Sequence, residues 1–513
     1  MAMAGERKGR GRPRRGARRL VAGALVGLCA LVTPPVLDAA AAAAPGAGAG
    51  ASTLSWHACA GKFRCASLAV PIDYAAPARG TLHLAVVELA STGAHPVGDL
   101  VMNPGGPGGS GVQFLEQTPF PAALRRSFNL VSFDPRGVGQ SDPVRCVDAA
   151  GIRQLIAENP APTTPAAVAQ VVRVTRAFDR ACAAHTSHLL LENLSSADTV
   201  ADMDRLRIAL GQDKLDYLGF SYGTFLGELY AARYPTHVRA MVLDGVIDPA
   251  LSQARADLEQ AVGFETDLRD FFSWCPTQRA CTSVLPEGAK AGYDRLFGAL
   301  ATGATVPAYL RPLYGGTQKV TLGTAEVALA GSLYTDQTWP DLARAIAEGL
   351  AGNGTLLAAI AYQYEGLQLN GTFDNELAAE VATSCVDRPS PKALATYEQL
   401  SRQMAKAAPD FGAAEAWGTL ACAYWPVAPK LRPRAIAAAK APTILLVGST
   451  DDPATPYRWA VAVSKELAHA RLLTRRGPGH TAYFASTCVQ RAVDTYLATL
   501  RLPAVGRVCP SSS

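Results

Sequence analysis

Apolar residues fall in short runs along the chain, each bounded by turn-forming residues. Segments 82–89, 99–103, 129–134, 215–220 and 240–244 have the length and composition of buried strands. Between the third and fourth, residues 196–210 carry apolar positions at helical spacing and stop at Gly211, a residue that tolerates the left-handed backbone at a helix end. Strand and helix alternating in this way predict an α/β fold, a mostly parallel sheet with helices on both faces. The pattern lapses over residues 250–435, which are Ala-rich and read as mostly helical, with aromatic and Cys-containing loops. It resumes at 442–447 and 470–473. The predicted organisation is a leader over 1–44, a first core part over 45–248, a mainly helical cap insertion over 249–435, and a final core part over 436–513.

Charge and cysteine content refine this picture. Residues 1–20 hold eight basic side chains, from Arg7 to Arg19, against the single acid Glu6. Without them, the 48 basic and 43 acidic residues of the chain nearly balance, so the body lacks the basic surface that nucleic acid needs. The basic start precedes an apolar run over 20–32 and a small-residue stretch over 39–44, the three parts of a secretory signal peptide. Thirteen apolar residues are short for a bilayer span, so no stable membrane insertion is expected once the signal is removed. Arg18-Arg19 is a faint sign of a twin-arginine route, and Cys29, inside the apolar run, is in a poor context for lipid attachment. Export predicts disulfides. Of 11 cysteines, ten follow the signal. Cys59 with Cys65, Cys275 with Cys281 and Cys488 with Cys509 are close in sequence, leaving Cys146, Cys182, Cys385 and Cys422 for two more bridges of open connectivity. No C-x-x-C pair supports zinc, and no metal or organic cofactor is expected.

The chemistry concentrates in four loops. Gly219-Phe-Ser221-Tyr-Gly223 joins a predicted strand to a predicted helix that Pro235 halts. That setting suits a nucleophile elbow, whose sharp turn brings backbones too close for side chains at 219 and 223. Ser221 would stand exposed on the turn, with the Tyr222 amide at a helix N-terminus as an oxyanion donor. Asn103-Pro-Gly-Gly-Pro-Gly-Gly-Ser-Gly111 follows another strand. It is not a phosphate-binding loop, because no Gly-Lys-Ser/Thr closes it and Pro107 lacks a donor. Bare amides held by Gly and Pro suit an oxyanion loop instead. Further on, the strand at 442–447 leads into Asp451-Asp452-Pro-Ala-Thr-Pro456. Of these adjacent carboxylates, Asp452, which precedes Pro453, is the better candidate to orient an imidazole. Gly477-Pro-Gly-His480 follows the last predicted strand, and His480 on this flexible loop is the candidate base.

With these residues in place, the chain resembles the secreted tripeptidyl aminopeptidases and related exported proteases of actinobacteria, in the proline-iminopeptidase branch of the α/β-hydrolases. The likeness rests on residues 103–111 (NPGGPGGSG), 134–142 (DPRGVGQSD), 219–227 (GFSYGTFLG), Asp244-Gly-Val, 452–456 (DPATP) and Gly479-His480. It implies the α/β-hydrolase fold, a triad of Ser221, Asp452 and His480, and Gly106 as the second oxyanion donor beside Tyr222. Pro104 stands where proline iminopeptidases carry His, which moves the comparison away from strictly proline-specific enzymes. The resemblance also implies peptide substrates with a free N-terminus and release of short fragments, tripeptides above all. A buried substrate ammonium needs an anionic partner, and Asp387 and Glu228 are the candidates. A carboxylesterase or lipase using the same triad is the rival reading, and a catalytically silent binding protein on the same scaffold is a second.

Overall fold

The computed structural model describes residues 54–511. The expected signal, its cleavage region, the arginine pair and Cys29 lie outside these residues. Strands β1 (His57–Ala58), β2 (Arg64–Pro71), β3 (Thr81–Leu89), β4 (Gly98–Asn103), β5 (Phe128–Phe133), β6 (Leu215–Phe220) and β7 (Val238–Asp244) come first. A separate antiparallel hairpin, β8 (Val306–Tyr309) and β9 (Thr317–Val320), follows, and then β10 (Ile444–Asp451), β11 (Ala470–Pro478) and β12 (Val508–Cys509). Ten strands make one sheet in the order β1-β2-β3-β5-β4-β6-β7-β10-β11-β12. The pairs from β1 to β5 are antiparallel and those from β5 to β12 parallel.

Every strand read from the apolar runs is present. The central strand β6 is buried along its whole length, and its one charged residue, Asp216, is paired with Arg239. Two apolar clusters cover opposite faces, because successive strand residues point to opposite sides. Tyr217, Met241, Leu243 and Leu446 pack with Met203, Leu206 and Leu226 on one face. Leu218, Ala240, Val242, Leu445 and Val447 pack with Val489, Val493 and Leu497 on the other. β10 and β11 outrun their apolar stretches. Their parallel pairing continues to Asp451 and Pro478, which sets the two following loops side by side.

Between β7 and β10 the chain is mainly helical, with long helices at Gln253–Trp274, Leu322–Leu333, Trp339–Leu350 and Glu376–Asp387. Phe264, Leu268, Phe271, Leu329, Trp339, Leu342 and Ile346 form a core of their own there, separate from both sheet faces. Five disulfides join Cys59–Cys65, Cys146–Cys182, Cys275–Cys281, Cys385–Cys422 and Cys488–Cys509. The three close pairs are those expected, and the two left open resolve within the core and within the helical segment.

Candidate active site

The C-terminal ends of β4, β6, β7, β10 and β11 lie along one edge of the sheet, where open α/β sheets place their chemistry. Ser221 joins β6 to the helix Tyr222–Arg233 with φ 52° and ψ −123°, a left-handed, strained backbone for a residue with a side chain. The turn is crowded. A Cβ on Gly219 would lie 2.5 Å from the Gly223 carbonyl oxygen, and one on Gly223 would lie 2.8 Å from the Asn103 carbonyl oxygen. Both glycines of the motif are therefore required by close approach. The loop after β4 runs directly against this turn, since a Cβ on Gly105 would sit 2.9 Å from Ser221 Cβ and 3.1 Å from the Tyr222 nitrogen. Asp134 fixes that loop by accepting from Ser110 Oγ at 2.6 Å, the Val112 amide at 3.0 Å and the Gln140 amide at 2.8 Å.

Asp452 and His480 are joined across the ends of β10 and β11. His480 Nδ1 lies 2.9 Å and 3.1 Å from the two Asp452 oxygens. The carboxylate also accepts from the Ala454, Thr455 and Thr481 amides and from Thr455 Oγ1. Asp451, by contrast, accepts from its neighbour Thr450 and does not meet the imidazole. His480 Nε2 has no hydrogen-bond partner among the described residues, and His480 lines a cavity of about 510 Å³ together with Ser221 and Gly106. Burial pulls the imidazole towards neutrality, but the charge and hydrogen bond of Asp452 outweigh it and hold His480 above its ordinary 6.5.

Two partners of this loop had no role assigned from the sequence, although Asp244 stands in the Asp244-Gly-Val match. Asp244, at the end of β7, accepts from the Ala482 and Tyr483 amides and so pins the chain just past His480. Burial pushes its carboxyl to about 6. Its position at a strand end before Gly245 was the available signal. Tyr334, from the helical segment, accepts the His480 amide on its carbonyl at 2.8 Å and sets its ring edge-on to the imidazole at 5.3 Å. That pair of contacts ties the helical segment to the imidazole loop.

Segments of the chain match two family models, the α/β hydrolase fold over residues 100–287 and the TAP-like protein over residues 408–509. Serine protease Hip1 of Mycobacterium tuberculosis (strain ATCC 25618 / H37Rv) is 33% identical over 455 residues, covering 87% of each chain. Tripeptidyl aminopeptidase of Streptomyces lividans is 32% identical over 490 residues, covering 92% of this chain and 88% of that one. Carboxylesterase B of the same Mycobacterium tuberculosis strain is 35% identical over 514 residues, covering 95% and 96%. The chain belongs to the TAP-like α/β-hydrolases.

Within this family member, a second cavity of about 380 Å³ also opens on Ser221 and Gly106 and runs under the helical segment. Glu365 and Glu380 line both cavities, Glu376 lines the larger one, and Asp257 and Glu415 line the smaller one. Enclosure by protein, reinforced by the neighbouring acids, pushes Glu365 and Glu380 to about 7 and Glu376 and Glu415 to about 8. Burial likewise pushes Asp257 to about 7, with a Gln253 hydrogen bond and the Arg388 charge acting against it. Among the described residues, none of the four glutamates forms an ion pair. Sequence reasoning missed them, because an acid in an Ala-rich helix reads the same whether it faces bulk water or an enclosed cavity.

Of the two acids expected to hold a substrate amine, Asp387 lines the smaller cavity but is already occupied. It accepts from the Ser196 amide at 2.7 Å, from Ser196 Oγ and from Tyr222 Oη. Glu228 is a correction. It lies inside the helix after Ser221, fully buried, and lines neither cavity. The helix turns position 228 away from the cleft, and burial with the nearby Asp248 and Glu466 charges pushes its carboxyl far upward.

Proposed function

We propose that the protein is an exported serine aminopeptidase that releases short fragments, tripeptides above all, from free peptide N-termini. Relatives named serine protease and tripeptidyl aminopeptidase support a serine peptidase. In the finer reading, Ser221 attacks the scissile carbonyl while His480 Nε2 takes its proton and later gives it to the leaving amine. Asp452 holds the imidazole, and the Gly106 and Tyr222 amides receive the oxyanion.

The observation that carries the aminopeptidase reading is the set of four glutamates, Glu365, Glu376, Glu380 and Glu415, around the two cavities beside Ser221, none in an ion pair among the described residues. Carboxylates desolvated in this way without an ion pair are costly to ionise, and a substrate ammonium would relieve that cost. The smaller cavity, of about 380 Å³, is near the lower end of the roughly 300–1,000 Å³ common for ligand sites, a size for a short segment rather than a long chain. An ester substrate needs no such acids, so the carboxylesterase reading leaves them unexplained. The Asp452–His480 pair would serve no purpose in a silent binding protein. Five disulfides support export, and among the described residues no helix is long and apolar enough to cross a membrane.

The test uses Ala-Pro-Ala-anilide, its N-acetylated form and a simple ester, with wild-type enzyme and the Ser221→Ala variant. Cleavage of the free-amine anilide alone, lost in the variant, is the expected result. Turnover of the ester without the anilide would replace this reading with the esterase.

A further inference from the structure

The lining of the larger cavity is aromatic as well as acidic, with Phe114, Phe220 and Phe484 beside Glu365, Glu376 and Glu380. Phe220 and Phe484 stack with centroids 5.5 Å apart, and Phe114 meets Phe220 at 5.7 Å and Phe484 at 6.4 Å, edge-on in both cases. Phe120 backs Phe484 at 5.8 Å. Phe484 nevertheless remains 43% exposed, and it lines the same cavity as Ser221 and His480. It is held firmly, since the Asp244 carboxylate fixes the two preceding amides, Ala482 and Tyr483. A rigid, exposed ring beside the reacting groups is a binding surface.

Proton transfer decides which part of a substrate meets this ring. His480 must deliver its proton to the leaving nitrogen, so the leaving segment has to pass through the cavity that His480 lines. The smaller cavity touches Ser221 but not His480, and is left for the acyl part. We infer that Phe484, with Phe114 and Phe220, forms the subsite for the first residue of the leaving segment and selects an apolar side chain there. The glutamates lining the same cavity disfavour an acidic residue at that position. This inference rests on the proposed Ser221–His480 chemistry, but not on which acyl group the enzyme carries.

Acyl transfer to added amines isolates this subsite. Acyl-enzyme is formed from Ala-Pro-Ala-anilide, or from p-nitrophenyl acetate if only esters react, and is offered phenylalaninamide, glycinamide or aspartic acid α-amide. The acceptor nitrogen attacks the acyl carbonyl, forming a C–N bond as the C–O bond to Ser221 breaks. His480 carries the amine proton to Ser221 Oγ. The captured products are quantified against one another by mass spectrometry.

Phenylalaninamide is expected to capture the acyl group about tenfold better than glycinamide, with the aspartic amide poorest. In Phe484→Ala the preference should fall to about twofold, and in Phe484→Leu it should lie between. Because the acceptors compete for the same acyl-enzyme, a smaller folded fraction cancels from the ratio. Equal capture by wild type, or a preference unchanged in Phe484→Ala, would overturn the assignment, and failure of both donors to acylate the enzyme would overturn it together with the triad. A wrong aminopeptidase reading shows elsewhere, as cleavage of the acetylated anilide, and leaves the capture ratio measurable.

Discussion

At the scale of single residues, proton occupancy governs the site. The proposed base His480 must be neutral to accept a proton, and Asp452 holds its titration above 6.5. The rate kcat/KM on an ester should therefore fall as pH drops through a midpoint above that value. The free-amine anilide should lose rate more steeply over the same range, because Glu365 and Glu380, pushed to about 7, also take up protons and stop attracting the ammonium. In Glu380→Gln the KM for the free-amine anilide should rise about 10–100-fold, with a much smaller effect on an ester. Steady-state kinetics across pH checks both. A KM unchanged in the variant would remove Glu380 from amine binding. The nucleophile turn and the imidazole loop were legible in the sequence because Gly219, Gly223 and Gly479 are dictated by local backbone geometry. The glutamates were not, since their meaning depends on what packs around them.

At the scale of elements, buried polar ties hold the loops that carry the chemistry. Arg136, in the loop after β5, is fully buried. It pairs with both Asp202 oxygens at 2.7 Å and donates to the Pro71, Ile72 and Asn193 carbonyls. Tyr74 Oη donates to the same aspartate. Asp202→Ala leaves the guanidinium charged and unpaired, so it should destabilise the protein by about 3–5 kcal/mol in denaturant unfolding. A loss under about 1 kcal/mol would show that the pair contributes little beyond its packing. The central strands were readable because burial on both faces makes most of their positions apolar. β2 was not, because it alternates buried and exposed positions and its apolar residues are mostly small. The β8–β9 hairpin was missed for a related reason: it is short, polar on its outer face, and set in a segment whose Ala content reads as helix.

At the scale of the molecule, the enclosed acids tie stability to pH. Asp257, Glu326, Glu365, Glu376, Glu380 and Glu415 all titrate higher in the folded chain than their ordinary 3.8 or 4.5, at about 7 to 8. Between those limits the folded state binds more protons than the unfolded one, so these groups make stability fall as pH rises. Tm measured by calorimetry should accordingly be higher near pH 5.5 than near pH 8, and the opposite order would mean that other groups dominate. The even cysteine number after the expected signal foretold five bridges, but only folding could pair Cys146 with Cys182 and Cys385 with Cys422. The most direct measurement of the proposed activity follows a ten-residue peptide by mass spectrometry, once with a free N-terminus and once N-acetylated. Stepwise loss of tripeptides from the free peptide alone is the expected result. Internal cleavage, or equal trimming of the acetylated peptide, would contradict recognition of the substrate ammonium by the carboxylates beside Ser221.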